Sequence, residues 1–299
     1  NKTKKREKMK INLAIEWFIN PDHLPFIVGI KEGIYKKYSL ELNLIEPDAH
    51  YDGLSELKSG NIEFATNEPL HLIEQFDEKF LSLGTFFETK GGVMIKEESF
   101  AKLKNGEKIT VTTPVANDKT NAIGFEIIKR FGVQNAIDVK KENVEFFETD
   151  FYHIKNLKAG YDAAWLYFYN FEGVEAKHEN MKVIFMDAQT SGFANFSALD
   201  IFTNRDFYEA NHQAVNNFLG ATKEAIKFIQ ANPKKAAEYY YEYTKTEKSP
   251  LMNDIIEATT VCFDKTFESN YEKQLPVLEF FNEIKISNLS KEEFKKAFI

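Results

Sequence analysis

The chain has 299 residues, 43% hydrophobic and 28% charged, an ordinary globular composition whose length divides into about two domains. Its 38 basic and 46 acidic residues leave a net charge of −8, which argues against a nucleic-acid partner. No run of 18 apolar residues occurs, so no membrane-spanning helix is expected, and the single cysteine, Cys262, permits no disulfide within the chain.

Residues 1–10 form a basic, apolar-poor stretch, expected to be a flexible tether or leader before the fold starts at Ile11. Residues 11–15 alternate as a short strand. The turn Glu16-Trp-Phe-Ile-Asn-Pro-Asp-His23 follows. Pro25 suits the first turn of a helix capped by Asp22 or His23, and Gly29 and Gly33 would let that helix approach the sheet closely. The pattern continues with a strand at 40–45, a helix at 52–59, a strand at 62–66, a helix at 68–76 and a strand at 80–87. Strands alternating with helices predict an α/β domain with a largely parallel sheet.

The alternation restarts near Gly91 and Gly92. Strands are expected at 108–111, 144–147, 162–166, 182–185 and 193–203, with helices at 117–131 and 152–157. Beyond Asp206 the pattern is helical, at 212–231, 233–243, 250–267 and 289–298, with Cys262 as a small packed residue of the third helix. Leu57-Lys-Ser-Gly-Asn-Ile-Glu-Phe-Ala65 is echoed by Leu157-Lys-Ala-Gly-Tyr-Asp-Ala-Ala-Trp165, each a helix end, a glycine cap and a strand. The echo predicts two similar lobes.

Open α/β sheets bind ligands beyond the carboxyl ends of their strands. Three segments take such positions: Trp17 to His23, Asn67 with Glu68, and Trp165 to Glu172. Both tryptophans fall in this set, with Asp22, Glu68 and Glu172 among them. Each residue also has a purely local reading, as core aromatic, turn former or first-turn acid. Aromatics with carboxylates suit an uncharged or cationic amino-bearing ring. Walker, G-x-G-x-x-G and G-x-S-x-G patterns are absent. The histidines, His50 among them, lack metal-ligand spacing, so no metal site and no cofactor are expected.

Trp17-Phe-Ile-Asn-Pro-Asp-His23, Phe26-Ile-Val-Gly-Ile-Lys-Glu-Gly33, Leu40-Glu-Leu-Asn-Leu-Ile-Glu-Pro47, Glu68-Pro69 and Tyr169-Asn-Phe-Glu172-Gly173 resemble the thiamine-pyrimidine-precursor proteins. That group includes the ThiY-type solute-binding proteins of bacterial ABC importers and the fungal pyrimidine synthases. The resemblance runs through residues 11–205. It implies a two-lobed periplasmic-binding-protein fold of type II, each lobe a mixed, mostly parallel sheet flanked by helices, with a helical C-terminal tail; the lobes would be 11–92 with 199–299 and 93–198, crossed near 89–95 and 198–203.

Carried over by position, Trp17 would stack on a pyrimidine, Asn20, Asp22 and His23 would shape the first loop, and Glu68 would accept from an exocyclic amine. Trp165, Tyr167, Tyr169, Asn170 and Glu172 would close from the second lobe. The enzyme branch is implied to hold pyridoxal phosphate on a lysine after the third strand and to carry a cysteine-rich iron motif. Here that turn reads Asn67-Glu-Pro-Leu-His71, and Cys262 stands alone.

The resemblance therefore implies a binding protein rather than an enzyme, for a formylaminopyrimidine-like ligand, working as a monomer with an ABC permease. It would be periplasmic, or lipid-anchored at the outer face of the inner membrane, with no other membrane contact. A divergent pyridoxal-phosphate-dependent synthase is the alternative, and a sensing module of a larger receptor a third reading.

Overall fold

The computed structural model describes residues 7–47, 52–192 and 195–299, residue 191 by its backbone alone. His50 and Phe193, named above, lie outside the described residues.

In chain order, the first elements are β1 (Met9–Ala14), α1 (Leu24–Lys31), α2 (Ile34–Lys37), β2 (Leu40–Ile45), α3 (Gly53–Ser59), β3 (Phe64–Asn67), α4 (Leu70–Glu74) and β4 (Phe80–Glu88). Then come β5 (Gly91–Lys96), α5 (Glu97–Lys104), β6 (Ile109–Thr113), α6 (Asp118–Gln134), β7 (Val144–Glu148), α7 (His153–Lys158), β8 (Ala163–Phe168), α8 (Val174–His178) and β9 (Val183–Asp187). The last are β10 (Ala198–Asn204), α9 (Arg205–Ala210), α10 (His212–Ala231), α11 (Pro233–Thr244), α12 (Pro250–Thr260), α13 (Tyr271–Glu283) and α14 (Lys291–Lys295).

The chain divides into two compact units. The first holds Asn1–Glu88, Leu199–Tyr271 and Ser290–Ile299; the second holds Thr89–Ala198 and Glu272–Leu289. The expected division differs in two respects. Residues 89–92 start the second unit, and 272–289, assigned above to the first lobe, belong to the second. Met9 and Lys10, expected in the tail, are the first residues of β1 and pair with Leu40 and Glu41.

The first unit's sheet runs β2-β1-β3-β10-β4. β1 is parallel to β2 and β3, and β10 enters antiparallel beside β3. Every residue of β10 is buried, as expected of a strand covered on both faces. Helix α10 buries Val215, Phe218, Thr222, Ile226 and Ile229, one stripe at helical spacing. Phe218 stacks on Phe64, with centroids 4.0 Å apart, and on Phe26.

The two glycines expected to admit the sheet serve other ends. A Cβ on Gly29 would lie 2.2 Å from the ring of Tyr35, so Gly29 makes room for that ring rather than for a strand. Gly33 has φ +76° and turns the chain from α1 into α2, a conformation without penalty only for glycine. His23 takes the N-cap position of α1, as expected, but its side chain makes no capping bond there; the capping side chain is that of Asn20. Its Oδ1 accepts from the Asp22 amide and caps a single 3-10 turn, Pro21–His23, that leads into α1.

The second unit's sheet runs β7-β6-β8-β5-β9. β6 is parallel to β7 and β8, while β5 runs antiparallel to β8 and β9. Gly92 pairs with Tyr167 and Val93 with Trp165, so Leu166 is the extra residue of a bulge, with φ +69°. That residue reverses the side-chain parity of β8. Tyr167 joins Ala164 in one core cluster with Met94, Ile154, Leu157 and Ala176. Trp165 instead lies against Gly124 of α6 and edge-on to Phe196. Helix α13 adds Phe280 and Phe281 around Phe196. The helix expected over 250–267 stops at Thr260, and Cys262 lies half-buried in the turn beyond it.

Candidate functional site

Because β1 and β3 pair in parallel, Leu13 with Phe64 and Ala14 with Ala65, their carboxyl ends deliver Glu16 and Glu68 to the same edge of the first sheet. Glu16 was not among the residues expected at the site. His23 Nε2 lies 2.7 and 2.8 Å from its two oxygens, and the Thr66 hydroxyl donates to Oε1 at 3.1 Å. The Asn20 amide donates to His23 Nδ1 at 3.2 Å, so in the neutral ring the hydrogen resides on Nε2 and points at Glu16. Burial opposes a charge on His23, yet Glu16, Asp22 and Glu46 together raise its pKa above the usual value.

Glu68 is only 4% exposed. Its carboxyl lacks two such side-chain donors. His71 Nε2 lies 3.6 Å away, beyond hydrogen-bond reach, while His71 Nδ1 is 3.0 Å from Glu74. Burial pushes Glu68 up to about 6; His71 works against the rise, and Glu16 and Glu74 add to it. His71 is itself raised, burial being outweighed by its bond to Glu74 and the nearby Glu68.

A further acid meets this edge. Asp200 of β10 stands opposite Asn67, fully buried, and accepts from the Thr85 hydroxyl at 2.5 Å. A lone acid inside the apolar run Ala198-Leu-Asp-Ile-Phe202 was the sequence signal for it.

The other residues expected in the first unit have distinct fates. Trp17 is half-buried, its ring 5.5 Å from that of the exposed Phe18. Asn20 is used locally, its Nδ2 donating to the Phe18 carbonyl at 2.8 Å while Oδ1 caps the turn. Asp22 and His23 are buried within the loop's own support. The backbone of this loop is also held by Glu46, which accepts from the Ile19 amide at 3.2 Å.

In the second unit, the turn Tyr169–Gly173 follows β8. Glu172 Oε1 accepts from the Phe168 amide at 3.2 Å and lies 3.7 Å from His153 Nε2. His153 donates to the Leu166 carbonyl at 3.2 Å, and its Nδ1 has no partner among the described residues. Burial lowers its pKa to about 4, so the ring is neutral near pH 7. Tyr169 is half-buried beside Phe185, with Lys90 over its ring, and Asn170 is buried.

Tyr167 is buried and donates to Asp187. Trp165 has no exposed surface, and its Nε1 is without a partner among the described residues. Both side chains are thus core, and a ligand would reach Trp165 only after repacking. Of the expected site residues, His23 therefore meets Glu16 near Glu68 in the first unit, and Glu172 meets His153 in the second.

Among the described residues, no group of three or more His, Cys, Asp or Glu side chains is placed to hold a metal ion. β3 ends on Asn67, where the resemblance implies a Schiff-base lysine for the enzyme branch, and His71 lies beyond it between Glu68 and Glu74. Without a lysine at that position these residues do not fit pyridoxal phosphate held as that branch would hold it.

A protein-family profile described as "NMT1/THI5 like" matches residues 20–236. A protein of Haemophilus influenzae named for thiamine biosynthesis is 24% identical over 264 residues, 86% of this chain and 80% of that one. The 4-amino-5-hydroxymethyl-2-methylpyrimidine phosphate synthase of Aspergillus parasiticus is 22% identical, covering 90% of this chain and 84% of its own.

Among solved structures, the periplasmic aliphatic sulphonate binding protein SsuA of Escherichia coli superposes with a TM-score of 0.69 at 11% identity, over 97% of this chain and 92% of that one. The ligand-binding component of an ABC-type import system from Staphylococcus aureus gives 0.70 at 10% identity, over 96% of each. The two five-stranded sheets with their flanking helices are therefore the fold of the periplasmic binding proteins.

Proposed function

Since this chain belongs to the NMT1/THI5-like family, we propose that it is the solute-binding component of an ABC importer and binds a thiamine-related aminopyrimidine of the formylaminopyrimidine type. The observation that carries the reading is the pair of buried acids, Glu16 and Glu68, at the carboxyl edge of a binding-protein sheet. The family's named relatives supply the pyrimidine. Trp17 offers the stacking face, and Glu16 and Glu68 accept from ring amines. Asn20, Asp22 and His23 shape the loop behind Trp17, and within the second unit Tyr169, Asn170 and Glu172 are the candidate ligand-binding residues. Trp165 and Tyr167 support that turn from the core.

An anionic solute is disfavoured by the same acids. The backbone amide of Ala116, just before α6, is also taken by the protein's own Glu148, at 3.2 Å. Membership of an importer places the protein in the periplasm or, through a lipid anchor, at the membrane's outer face.

A thermal-shift and calorimetric panel of aminopyrimidines, thiamine, alkanesulfonates and amino acids tests the reading. A ligand that binds only the folded state raises the melting temperature by mass action. Aminopyrimidines are expected to shift it. A shift by sulfonates or amino acids with none by pyrimidines overturns the assignment.

The synthase alternative draws on the names of relatives. Incubation with pyridoxal phosphate and borohydride is expected to leave no lysine adduct. A trapped adduct would favour the enzyme.

A further inference from the structure

The two acids of the first unit are built differently. Both Glu16 oxygens face His23 Nε2–H, and one also takes the Thr66 hydroxyl. The Glu68 side chain is equally buried, yet His71 bonds Glu74 through Nδ1 and leaves Nε2 3.6 Å from Glu68, too long for a hydrogen bond. Apart from His71, the charged side chains acting on Glu68 are acids, Glu16 beyond β1 and Glu74 on α4, with Asp52 near His71. A buried acid among acids, short of donors, is the one that takes up a proton.

A carboxylic acid has a donor and an acceptor side by side. A ring nitrogen next to an exocyclic amine has the complementary acceptor and donor at the same spacing.

Taking the aminopyrimidine reading as its basis, we propose that Glu68 reads the ligand as a proton-sharing pair: one Glu68 oxygen and the ring nitrogen share a single proton, the other oxygen accepts the amine N–H, and Glu16 remains bonded to His23 and Thr66 beside them. The ligand class is any heteroaromatic with an amine adjacent to a ring nitrogen. No covalent bond changes. One proton comes from solvent and lies between Glu68 and the ring, whichever of the two holds it more tightly. The rise of Glu68 to about 6 accords with this, since the free protein then lacks most of that proton at pH 7–8.

Calorimetric titration with 4-amino-2-methylpyrimidine in buffers of different ionisation enthalpy tests it. The wild type is expected to take up close to one proton at pH 8, and to lose affinity about tenfold per pH unit above neutrality. 2,4-Dimethylpyrimidine, which lacks the amine, should bind about 10–100-fold more weakly. Glu68→Gln offers the same donor and acceptor without a titrating proton. It should bind with no buffer dependence and a flat pH profile, and tighter than the wild type at pH 8. Glu68→Leu should lose about 10–100-fold near pH 6, with the deficit shrinking as the wild type weakens at higher pH.

Binding without proton uptake, or Gln failing as badly as Leu, overturns this inference and leaves the proposed function standing. Failure of every pyrimidine to bind brings down both. Carbon-13 NMR of the glutamate carboxyls in the ligand-free protein supplies a ligand-independent check. Glu68 should titrate well above the ordinary glutamate value, and an ordinary midpoint refutes the assignment.

Discussion

His23 Nε2 sits 2.7 Å from one oxygen of Glu16 and 2.8 Å from the other, with the imidazole wholly enclosed. Glu16 ends the first strand's approach and His23 opens the first helix, so one contact closes the loop that carries Trp17. Removing the imidazole would leave a buried carboxylate with the Thr66 hydroxyl as its remaining side-chain donor. His23→Ala is therefore expected to cost about 3–5 kcal/mol, read by chemical denaturation. His23→Gln, whose amide can donate to Glu16, should recover part of that loss. Equal losses in the two variants would show that packing rather than the pair is responsible.

The two tryptophans should separate cleanly. Trp17→Ala removes a half-buried loop ring and is expected to change stability by less than about 1 kcal/mol. It should weaken a pyrimidine ligand about tenfold, the scale of one lost stacking pair. Trp165→Ala empties a fully enclosed site between Gly124 and Phe196 and should cost about 3–5 kcal/mol. Denaturation and ligand titration of both variants decide. Unfolding in Trp17→Ala would make that ring part of the core.

Acid and base should strain different units. Glu68 has its pKa raised from 4.5 to about 6 by burial, so the folded state holds its proton more tightly. That contribution is full below pH 4.5 and is lost as pH rises through 6. Glu68→Gln should accordingly stabilise the first unit by about 1–2 kcal/mol at pH 8 and by little at pH 4. His153 has its pKa lowered from 6.5 to about 4 by burial, so its neutral form is favoured by folding. Its contribution is present above pH 6.5 and is lost as pH falls toward 4, up to about 3 kcal/mol. Hydrogen exchange of each unit across pH 4–8 is the measurement, and His153→Gln should flatten the second unit's acid limb.

Gly29→Ala places a methyl group in the Tyr35 ring, which is itself buried and bonded through its hydroxyl to Thr222 at 2.8 Å. A loss of about 1–3 kcal/mol is expected. Tyr35→Leu in the same chain should recover some of it, giving a coupling energy in a double-mutant cycle. Additive losses would mean that Gly29 matters for its backbone alone.

Much of the fold was legible because hydrophobic periodicity is local. β2, at 40–45, and α10, at 212–231, have the bounds that spacing alone predicts. What failed depended on distant partners. Helix α13 carries Pro276 inside it and was passed over. The bulge at Leu166 leaves no mark in composition, yet it parts Trp165 from Tyr167, which simple alternation would put on one face. The site was half legible. Glu68 stood out by following a strand, and Glu16 holds the equivalent place after β1, but the larger aromatic beside it drew the assignment. Its importance depends on His23 and Thr66, seven and fifty residues away, which only the pairing of β1 with β3 brings within reach.

The chain passes from one unit to the other four times, at 88–89, 198–199, 271–272 and 289–290. During synthesis, then, neither unit is finished when its sheet is. The second unit has all five strands once residue 187 has emerged, yet Phe196 waits for Phe280 and Phe281. The first waits longer still, since Phe298 bridges to Ser82 on β4 and the Ser82 amide bonds the Ala297 carbonyl. A ribosome stalled at residue 271 would hold two nearly complete sheets, each with an open seam. Emergence of residues 272–299 closes both, the second unit's seam before the first's.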